Sequence, residues 1–295
     1  GGFDAVELAS DLPDFEALVP LADAVRWLWA SAPASTRGLE RLRQLERITW
    51  TGSQAGPKFD FRQLPRLKTL ECDAADAMSA KFLNHPALER LDLNGAAVAD
   101  FAVLDRAASL RALRLARSKT RSLQGIGKQP QLRELRLLGA RTLTDISALE
   151  SAPQLEALEI MDAVKLADVS ALRTLHRLRW LFVEARTAVQ PDIGWLAEAP
   201  ALECAGLWVA TQSVDWSVVA AHPRLYDLSL HGSPTAAFAD SDETLTGQLT
   251  ACGRQVRRIT RYPRSPVPAI RVEMVPPPDI ADAKPFTSLQ GRLSM

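Results

Sequence analysis

The chain has 295 residues, of which 47% are hydrophobic, and its 35 basic residues balance 35 acidic ones. This composition excludes an intrinsically disordered chain, and the even balance of charge excludes a bulk electrostatic attraction to nucleic acid or to a membrane surface. Alanine and leucine, at 45 and 43 residues, make up nearly a third of the chain. Such an excess has two usual causes, an array of helices or a leucine-rich solenoid, and the spacing of the apolar residues distinguishes them.

The sequence carries no targeting signal that we recognise. No apolar run approaches 18 residues, so no membrane-spanning helix is predicted. Residues 1–4 lack the basic and apolar regions of a signal peptide, and the missing initial Met leads us to expect a trimmed start. The three cysteines, Cys72, Cys204 and Cys252, are widely separated, which favours a reducing compartment. We therefore expect a cytoplasmic protein, and the excess of Arg and Ala favours a bacterial source.

A motif of the form L-x-x-L-x-L recurs from the start of the chain to about residue 232. We take the first apolar position of each copy as an anchor, and eleven anchors follow at spacings of 20 to 24 residues. The anchors are Phe3, Val25, Leu45, Leu67, Leu88, Leu110, Leu132, Leu155, Leu178, Leu202 and Leu225. A mean spacing of about 22 residues lies within the range of leucine-rich repeats.

The motif has the two-residue period of a β-strand. Positions anchor +3 and anchor +5 are apolar, and on a strand they point to the same side, so we expect them to be buried. We call the opposite side, anchor +2, +4 and +6, the even face, and expect it to be exposed. Later in each unit the apolar residues recur every three positions, as at Leu143, Ile146 and Leu149. This spacing over a short stretch predicts 3-10 turns or one short helix.

Over residues 3–232 the chain resembles the leucine-rich-repeat family, in particular its short 22-residue subclass in protein phosphatase regulatory subunits. The resemblance implies an α/β solenoid of about 11 units, a horseshoe with a parallel β-sheet on its concave face and short 3-10, helical or irregular segments on its convex side. One departure is the Asn that this family usually has at anchor +8. This chain has Ala96, Ser118, Ala140 and Ala163 there, so other bonds or water must satisfy the backbone groups.

A C-terminal cap is predicted for residues 233–275, because solenoids need polar caps over their terminal cores. It consists of a helix at Asp240–Cys252 and a hairpin of two alternating strands, Gln255–Tyr262 and Ala269–Val275. Residues 276–295 form a Pro-rich polar tail. The first unit leaves no room for an N-terminal cap, so we expect either a short capping strand or the loss of a preceding domain.

No arrangement of residues predicts catalysis, a metal site or a cofactor. His85 and His222 occupy the same place in an H-P-x-L motif, which indicates a structural role in the repeat. His231 is expected on the even face, and His176 in a loop. We expect Cys72 to be buried and inert, and Cys204 to lie on the even face without a partner that would lower its pKa. The segment from Gly125 to Lys128 lacks the remainder of a phosphate-binding loop, so we expect a simple turn.

Six arginines and no acidic residue lie between Arg254 and Arg271. They fit either a patch for nucleic acid or an acidic partner, or a solvated edge of the cap whose charges prevent pairing with another chain. We favour the second interpretation, because Tyr262 is the only aromatic residue among them.

The even face holds three zones in which a protein partner is expected to bind. An aromatic pair, Trp27 and Trp29, lies near the start; acidic side chains followed by basic ones lie in the middle; an apolar cluster follows. Exposed apolar patches with polar surroundings mark interaction sites, and Trp and Arg are frequent hot spots. The alternative is that the aromatic side chains bury one another or are covered by the cap or tail. The predicted partner-binding residues are Trp180, Phe182, Trp208, Met161, Leu138, Arg114, Arg136, Glu159, Asp92, Glu71, Trp27 and Trp29.

The sequence therefore predicts a non-enzymatic module that binds one or more proteins on its concave face and binds neither nucleic acid nor membrane. An inhibitor or immunity protein, an effector delivered from a bacterium, and a regulatory scaffold all fit this prediction. An alternative is the substrate-recognition part of a larger enzyme, such as a ubiquitin-ligase-like effector. A further hypothesis is self-regulation by residues 279–295 lying on the body.

Overall fold

The computed structural model describes residues 5–8, 14–31, 35–51, 59–73, 85–104, 107–185, 193–209, 215–232, 241–262 and 269–280. The chain divides into two compact units, residues 1–152 and 153–295. This division falls inside the array of repeats, so each unit contains several of them. The tail beyond residue 280, and with it most of the segment of the self-regulation hypothesis, lies outside the described residues.

In its described residues, the first unit has seven parallel strands that follow one another in chain order. They are β1 (Ala5–Leu8), β2 (Trp27–Ser31), β3 (Arg47–Thr51), β4 (Thr69–Asp73), β5 (Arg90–Asn94), β6 (Ala112–Ala116) and β7 (Glu134–Leu138). Each strand pairs with the next so that equal repeat positions lie side by side, as Leu91, Leu113 and Leu135 do. The strand register predicted from the anchors is confirmed.

Short 3-10 helices connect the strands of the first unit, as the three-residue spacing predicts. They lie at Glu16–Leu21, Leu39–Arg41, Phe61–Gln63, Ala102–Leu104, Ile126–Lys128 and Ser147–Ser151. The core lies between these helices and the strands. Anchors such as Leu45 and Leu67 and inward strand residues such as Leu70 have no exposed surface. Burial of a leucine side chain contributes about 1.5–3 kcal/mol.

Threonine side chains supply part of the bonding that the missing Asn would provide. The hydroxyl of Thr120, at anchor +10, donates to the carbonyl of Val98 at the same place in the previous unit, at 3.0 Å. The Thr142 hydroxyl in turn donates to the Thr120 carbonyl at 2.9 Å. Ser118, which stands where Asn is expected, donates to the Thr120 hydroxyl at 3.0 Å. The two threonine bonds each join one coil to its neighbour and satisfy a backbone carbonyl, and the serine bond orients the Thr120 hydroxyl within its own coil.

The second unit continues the same pattern and ends differently. Its strands and helices are β8 (Ala157–Ile160), β9 (Trp180–Val183), β10 (Cys204–Val209), α1 (Trp216–Ala221), β11 (Asp227–Gly232), α2 (Asp242–Ala251), β12 (Val256–Tyr262) and β13 (Ala269–Met274), with 3-10 helices at Ser170–Thr174 and Gly194–Glu198. Strands β8 to β11 are parallel, whereas β13 pairs antiparallel with β11, and β12 pairs antiparallel with β13. The hairpin predicted for the end of the chain thus extends the sheet by two strands, of which β13 runs opposite to β11 and β12 runs in the same direction as β11.

Helices α1 and α2 begin at capping side chains. The Asp215 carboxylate accepts from the backbone N–H of Ser217 at 3.0 Å, and the Ser241 hydroxyl accepts from that of Thr244 at 3.1 Å. Such caps satisfy backbone donors that a helix leaves unpaired. Helix α2 contacts α1 and β12, and buries Leu245 and Leu249.

Gly125 is required where two neighbouring coils approach each other. Its φ is +91°, and a Cβ there would lie 2.6 Å from the Ala102 nitrogen and 2.7 Å from the Phe101 carbonyl carbon. It precedes the 3-10 helix at Ile126–Lys128, so the segment from Gly125 is a turn, as expected. Because the clashing atoms belong to the backbone, a side chain cannot be accommodated by a change of rotamer.

We predict that Gly125→Ala lowers the free energy of unfolding by about 2–4 kcal/mol, from the left-handed backbone and the clash together. Gly247→Ala is the matched control, because a Cβ on that residue of α2 meets nothing within 4 Å. It should raise the free energy of unfolding by about 0.5–1 kcal/mol. Urea denaturation followed by circular dichroism measures both, and equal midpoints for the two variants would contradict the assignment.

Candidate functional site

The even face of the first unit carries two exposed indoles. Trp27 and Trp29 lie two residues apart on β2 and are 42% and 43% exposed. The guanidinium carbon of Arg47 lies 4.9 Å from the centre of the Trp27 ring, and its Nη2 is 2.7 Å from a carboxylate oxygen of Glu71. This cation–π contact and ion pair hold one side of the aromatic pair in place. Leu138, at the end of β7, is half-buried.

The charged side chains of this face pair with one another. The Arg114 guanidinium is 2.6 Å from the Asp92 carboxylate, and Arg136 is 2.6 Å from Glu134, which Arg90 also approaches to 3.3 Å. Partial burial raises the pKa of Asp92, and the neighbouring Arg114 opposes that rise. Asp92 of the predicted acidic zone and Arg114 of the basic zone therefore pair across neighbouring strands, whereas Arg136 pairs with Glu134 within β7 and Arg90 reaches Glu134 from two strands away. Partly exposed pairs of this kind contribute about 0–1 kcal/mol each.

The prediction of an exposed apolar cluster is wrong for two of its residues on the second unit, and Glu159, a predicted binding residue on the same face, is buried as well. Phe182 and Trp208 occupy even-face positions, as the register predicts, but are only 6% and 9% exposed, and Glu159 is 2% exposed. Trp180 and Met161 remain half-buried. Of the expected cluster in this unit, only Trp180 and Met161 present appreciable surface.

Contacts between aromatic rings explain this burial. The Phe182 and Trp208 rings meet edge to face, with centroids 6.1 Å apart, and the Trp208 indole stacks on the His231 imidazole at 4.2 Å. His231 lies on the neighbouring strand opposite Trp208. Burial lowers the pKa of His231 to about 4, so its ring is neutral at neutral pH. The expected exposure of His231 is thus only partial, since it forms one side of an aromatic stack.

Sequence reasoning missed a buried ion pair where the hairpin joins the sheet. Arg271 on β13 contacts the Asp227 carboxylate of β11 at 3.0 and 2.6 Å, and both residues are less than 10% exposed. Glu273 lies 3.4 Å from the same guanidinium. The antiparallel register places Arg271 opposite Ser229 and Glu273 opposite Asp227, which extends the even face onto the hairpin.

Other arginines of the segment from Arg254 to Arg271 also have structural contacts. Arg254 donates to the carbonyls of His222 and Leu225, and Arg261 pairs with Asp242 of α2 at 2.6 Å. Arg257 and Arg258 on β12 are exposed, as expected for a charged edge. The interpretation as a solvated edge thus agrees with the exposure of Arg257 and Arg258. It is wrong for Arg271, which is buried.

The cysteines differ in exposure. Cys72 is buried, as predicted, and burial raises the pKa of its thiol to about 12. Cys204 was expected to face solvent but is 2% exposed; it contacts the Tyr226 side chain, and burial raises its pKa to about 12. Cys252, after α2, is exposed. Neither buried thiol has the low pKa that a nucleophile needs.

His85 and His222 make the same contacts in their two units. Each Nε2 lies about 3 Å from a carbonyl of the previous coil, that of Leu64 or Ala199, and each Nδ1 accepts from a backbone N–H two or three residues later. These contacts fix a neutral ring with its proton on Nε2. Burial lowers the pKa of both. The structural role predicted for this motif is confirmed.

Ser229 and His231 form a serine–histidine contact that the sequence does not single out. The Ser229 hydroxyl lies 3.2 Å from His231 Nε2. Catalysis of the triad type needs a carboxylate that orients the histidine, but the nearest candidate on the strand, Asp227, binds Arg271. A histidine whose pKa is about 4 is also a weak general base. This pair therefore fits the packing of the stack better than nucleophilic catalysis.

The described residues also limit other kinds of site. None of the helices seen in these ranges is long and apolar enough to cross a membrane. In the same part of the chain, no three His, Cys, Asp or Glu side chains converge where a metal ion would fit.

Comparison with solved structures identifies the fold. A leucine-rich-repeat protein of Leptospira interrogans matches with a TM-score of 0.56 at 16% identity, over 75% of this chain and 57% of that one. A chain of the mouse RP105/MD-1 complex matches with a TM-score of 0.61 at 18% identity, over 83% of this chain and 45% of that one. The chain thus spans less than two thirds of the length of either. No protein-family model and no curated protein matches the sequence. The chain has a leucine-rich-repeat fold.

We predict that a thiol reagent such as dithionitrobenzoate modifies one cysteine quickly in the native protein and all three after denaturation. The fast thiol is Cys252, since Cys72 and Cys204 are buried with raised pKa values. Cys252→Ser should remove the fast phase, whereas Cys72→Ala should leave it unchanged. Fast modification of two thiols per chain would contradict the described burial.

The two buried histidines predict a loss of stability in acid. Their pKa values in the folded protein are below 6.5, so the unfolded chain takes up protons first as the pH falls through that value. The contribution of these two histidines to the free energy of unfolding should therefore be constant above about pH 6.5 and should decrease below it. Urea titrations at a series of pH values measure this dependence.

The double variant His85→Gln/His222→Gln should decrease less steeply below that pH, because glutamine keeps a donor for the carbonyl without titrating. Gln129 already occupies the same place in its own unit and donates to the Leu104 carbonyl. An unchanged slope in the double variant would refute the role given to these two rings.

Proposed function

We propose that this protein is a non-enzymatic module that binds a protein partner on the even face of its parallel strands. The observation that supports this most directly is the pair of exposed indoles, Trp27 and Trp29, on a rigid strand. Among the described residues, large apolar side chains as exposed as these are few. Tryptophan is the residue type that most often supplies the binding energy of an interface.

The remaining even-face residues would contribute to the proposed interface in different ways. Ion-paired side chains such as Glu71, Asp92, Arg114 and Arg136 would set register and specificity more than affinity. In the second unit, the half-buried Trp180 and Met161 retain surface that a partner could contact, whereas Phe182 and Trp208 are buried. Leucine-rich-repeat neighbours in solved structures include one in a protein complex, which agrees with this kind of function.

For the biological role we propose a bacterial, cytoplasmic setting, in which the module acts as an inhibitor or immunity protein, a delivered effector or a regulatory scaffold. Affinity capture from the native host, followed by mass spectrometry, would identify the partner. The genes that neighbour the coding sequence would distinguish the three roles, since an immunity protein is encoded beside its toxin.

We predict that Trp27→Ala/Trp29→Ala weakens binding of the captured partner by at least about 30-fold, the effect of losing a hot spot. Both side chains are more than two-fifths exposed, so the fold should be retained. A triple replacement of Trp180, Phe182 and Trp208 is a poorer test, because two of those rings are buried. Titration calorimetry with the purified partner gives the affinities.

Leu21→Ala is the matched control. Leu21 is 52% exposed but lies in a 3-10 helix rather than on a strand, so its loss removes exposed apolar surface away from the even face. It should change the affinity less than twofold. Equal losses in the two variants, or none in the tryptophan variant, would overturn the assignment of the site.

A further inference from the structure

The sheet of the second unit ends at β12, the outer strand of the terminal hairpin. The strand order places β13 between β11 and β12, and β13 is the one described strand that pairs with β12. With seven residues, β12 is also the longest of the described strands. An edge strand presents a row of backbone groups with which another chain can pair.

Backbone bonds along β13 alternate between its two neighbours. The Met274 N–H donates to the Tyr226 carbonyl, next to β11, at 2.7 Å, and the Val275 N–H donates to the Gln255 carbonyl, next to β12, at 2.9 Å. In an antiparallel ladder both backbone groups of a residue point to the same neighbour, and successive residues point to opposite ones. Glu273 therefore bonds toward β12.

The outward-facing groups of β12 follow from this alternation. Arg258 lies opposite Glu273, so its backbone groups point into the hairpin, and those of Thr260, two positions later, do the same. The N–H and C=O of Ile259, between them, point away from β13. No described strand pairs with that side of β12. We call it the open side; it has a donor and an acceptor with which a further strand can bond.

The hairpin also brings side chains of β12 onto the even face. Arg258 lies opposite Glu273, which itself lies opposite the even-face residue Asp227 of β11. Tyr262, four residues further along β12, points to the same side. Arg258 is exposed and Tyr262 is 44% exposed. A guanidinium and an aromatic ring therefore lie on either side of Ile259 along the strand.

The charge of β12 is positive. Residues 254–262 contain four Arg and no acidic residue. Two of these arginines have the structural contacts described above, whereas within the described ranges Arg257 and Arg258 form no ion pair. Glu273, opposite Arg258, contacts Arg271 instead, at 3.4 Å. Two exposed cations thus lie next to the open side.

Charge selects among the strands that could pair there. A second copy of β12 would bring four more arginines and no carboxylate, and like charges on neighbouring strands are unfavourable. Residues 281–295 of this chain contain one Asp, one Lys and one Arg, so they are not an acidic segment either. A strand with carboxylates would place them beside Arg257 and Arg258. A nucleic acid would meet the same cations but would make no use of the strand geometry of the backbone.

We propose that the open side of β12 binds an acidic, extended segment of a protein as an additional strand of the sheet. The backbone of that segment bonds to the N–H and C=O of Ile259, an acidic side chain faces Arg258, and an apolar one four positions away contacts Tyr262. The arginines that oppose pairing with a second copy thereby select the bound strand. This site goes beyond the proposed function and does not depend on the indoles of the first unit.

The test uses the full chain and a short fluorescent peptide in which Thr alternates with Glu, with one central Glu replaced by Val. Fluorescence anisotropy at low and high salt gives its affinity. The same peptide with N-methylated backbone amides keeps the charge but cannot donate to β12, and a peptide with Gln in place of Glu keeps the backbone but not the charge. We expect salt-sensitive binding that either change weakens by about tenfold or more.

Two variants of the chain separate the backbone from the charge. Ile259→Pro removes the outward N–H and leaves the bonds of β12 to β13, so it should weaken the peptide by about tenfold. Ile259→Ala is its matched control, because it keeps the N–H, and should weaken it by less than about threefold. Circular dichroism checks that both variants are folded.

The charge reversal Arg257→Glu/Arg258→Glu should also weaken the peptide by about tenfold or more, and it tests the proposal even if the proline unfolds the hairpin. Arg173→Glu/Arg177→Glu, at two exposed arginines of the same unit, changes the net charge equally and should weaken binding by less than about twofold. Trp27→Ala/Trp29→Ala should leave the affinity for the peptide unchanged.

Four results would overturn the proposal. They are no binding of the acidic peptide at low salt, equal binding of its N-methylated form, equal weakening by the two charge reversals, and tighter binding of oligothymidylate that Arg257→Glu/Arg258→Glu removes. Sedimentation velocity provides one more check, since a dimer of the chain that Ile259→Pro dissociates would show that a second copy occupies the open side instead.

Discussion

Every other feature depends on one constraint: successive coils must stack so that equal repeat positions hydrogen-bond side by side. Parallel pairing such as that of Leu91 with Leu113 aligns the buried residues of neighbouring coils, and it aligns the residues of the even face in the same way. Close approach of the coils follows, and it requires Gly125 where a side chain would meet backbone. Any property shared by neighbouring coils, whether an ion pair or a threonine bond, is a consequence of this alignment.

The sequence predicted the strands well because the buried positions recur with a period set by the backbone. It failed where burial depends on which side chains meet across strands. Phe182 and Trp208 occupy the predicted column, but the edge-to-face contact and the stack on His231 involve three different repeats. The pairing of Arg271 with Asp227, 44 residues apart, required the antiparallel register of the hairpin. A pattern in one repeat carries no information on such contacts.

The apolar and charged surfaces described in the first unit would contribute differently to binding. Exposed indoles on β2 offer apolar area, whereas the paired charges of the next strands offer little net attraction. Apolar burial gives affinity, whereas exposed charge chiefly accelerates encounter and selects the partner. The two kinds of surface can therefore be altered separately, which makes the proposed interface open to dissection by mutation.

The reversed hairpin has a consequence for how such a protein can change over evolution. Strand β13 lies between β11 and β12, so the last strand on that side of the sheet belongs to a hairpin and not to a repeat coil. A repeat duplicated between two parallel coils finds a matching neighbour on each side, whereas one appended after Met274 does not. We therefore expect unequal recombination to add or remove coils only before β11. The hairpin cap would be retained whatever the number of coils that precede it.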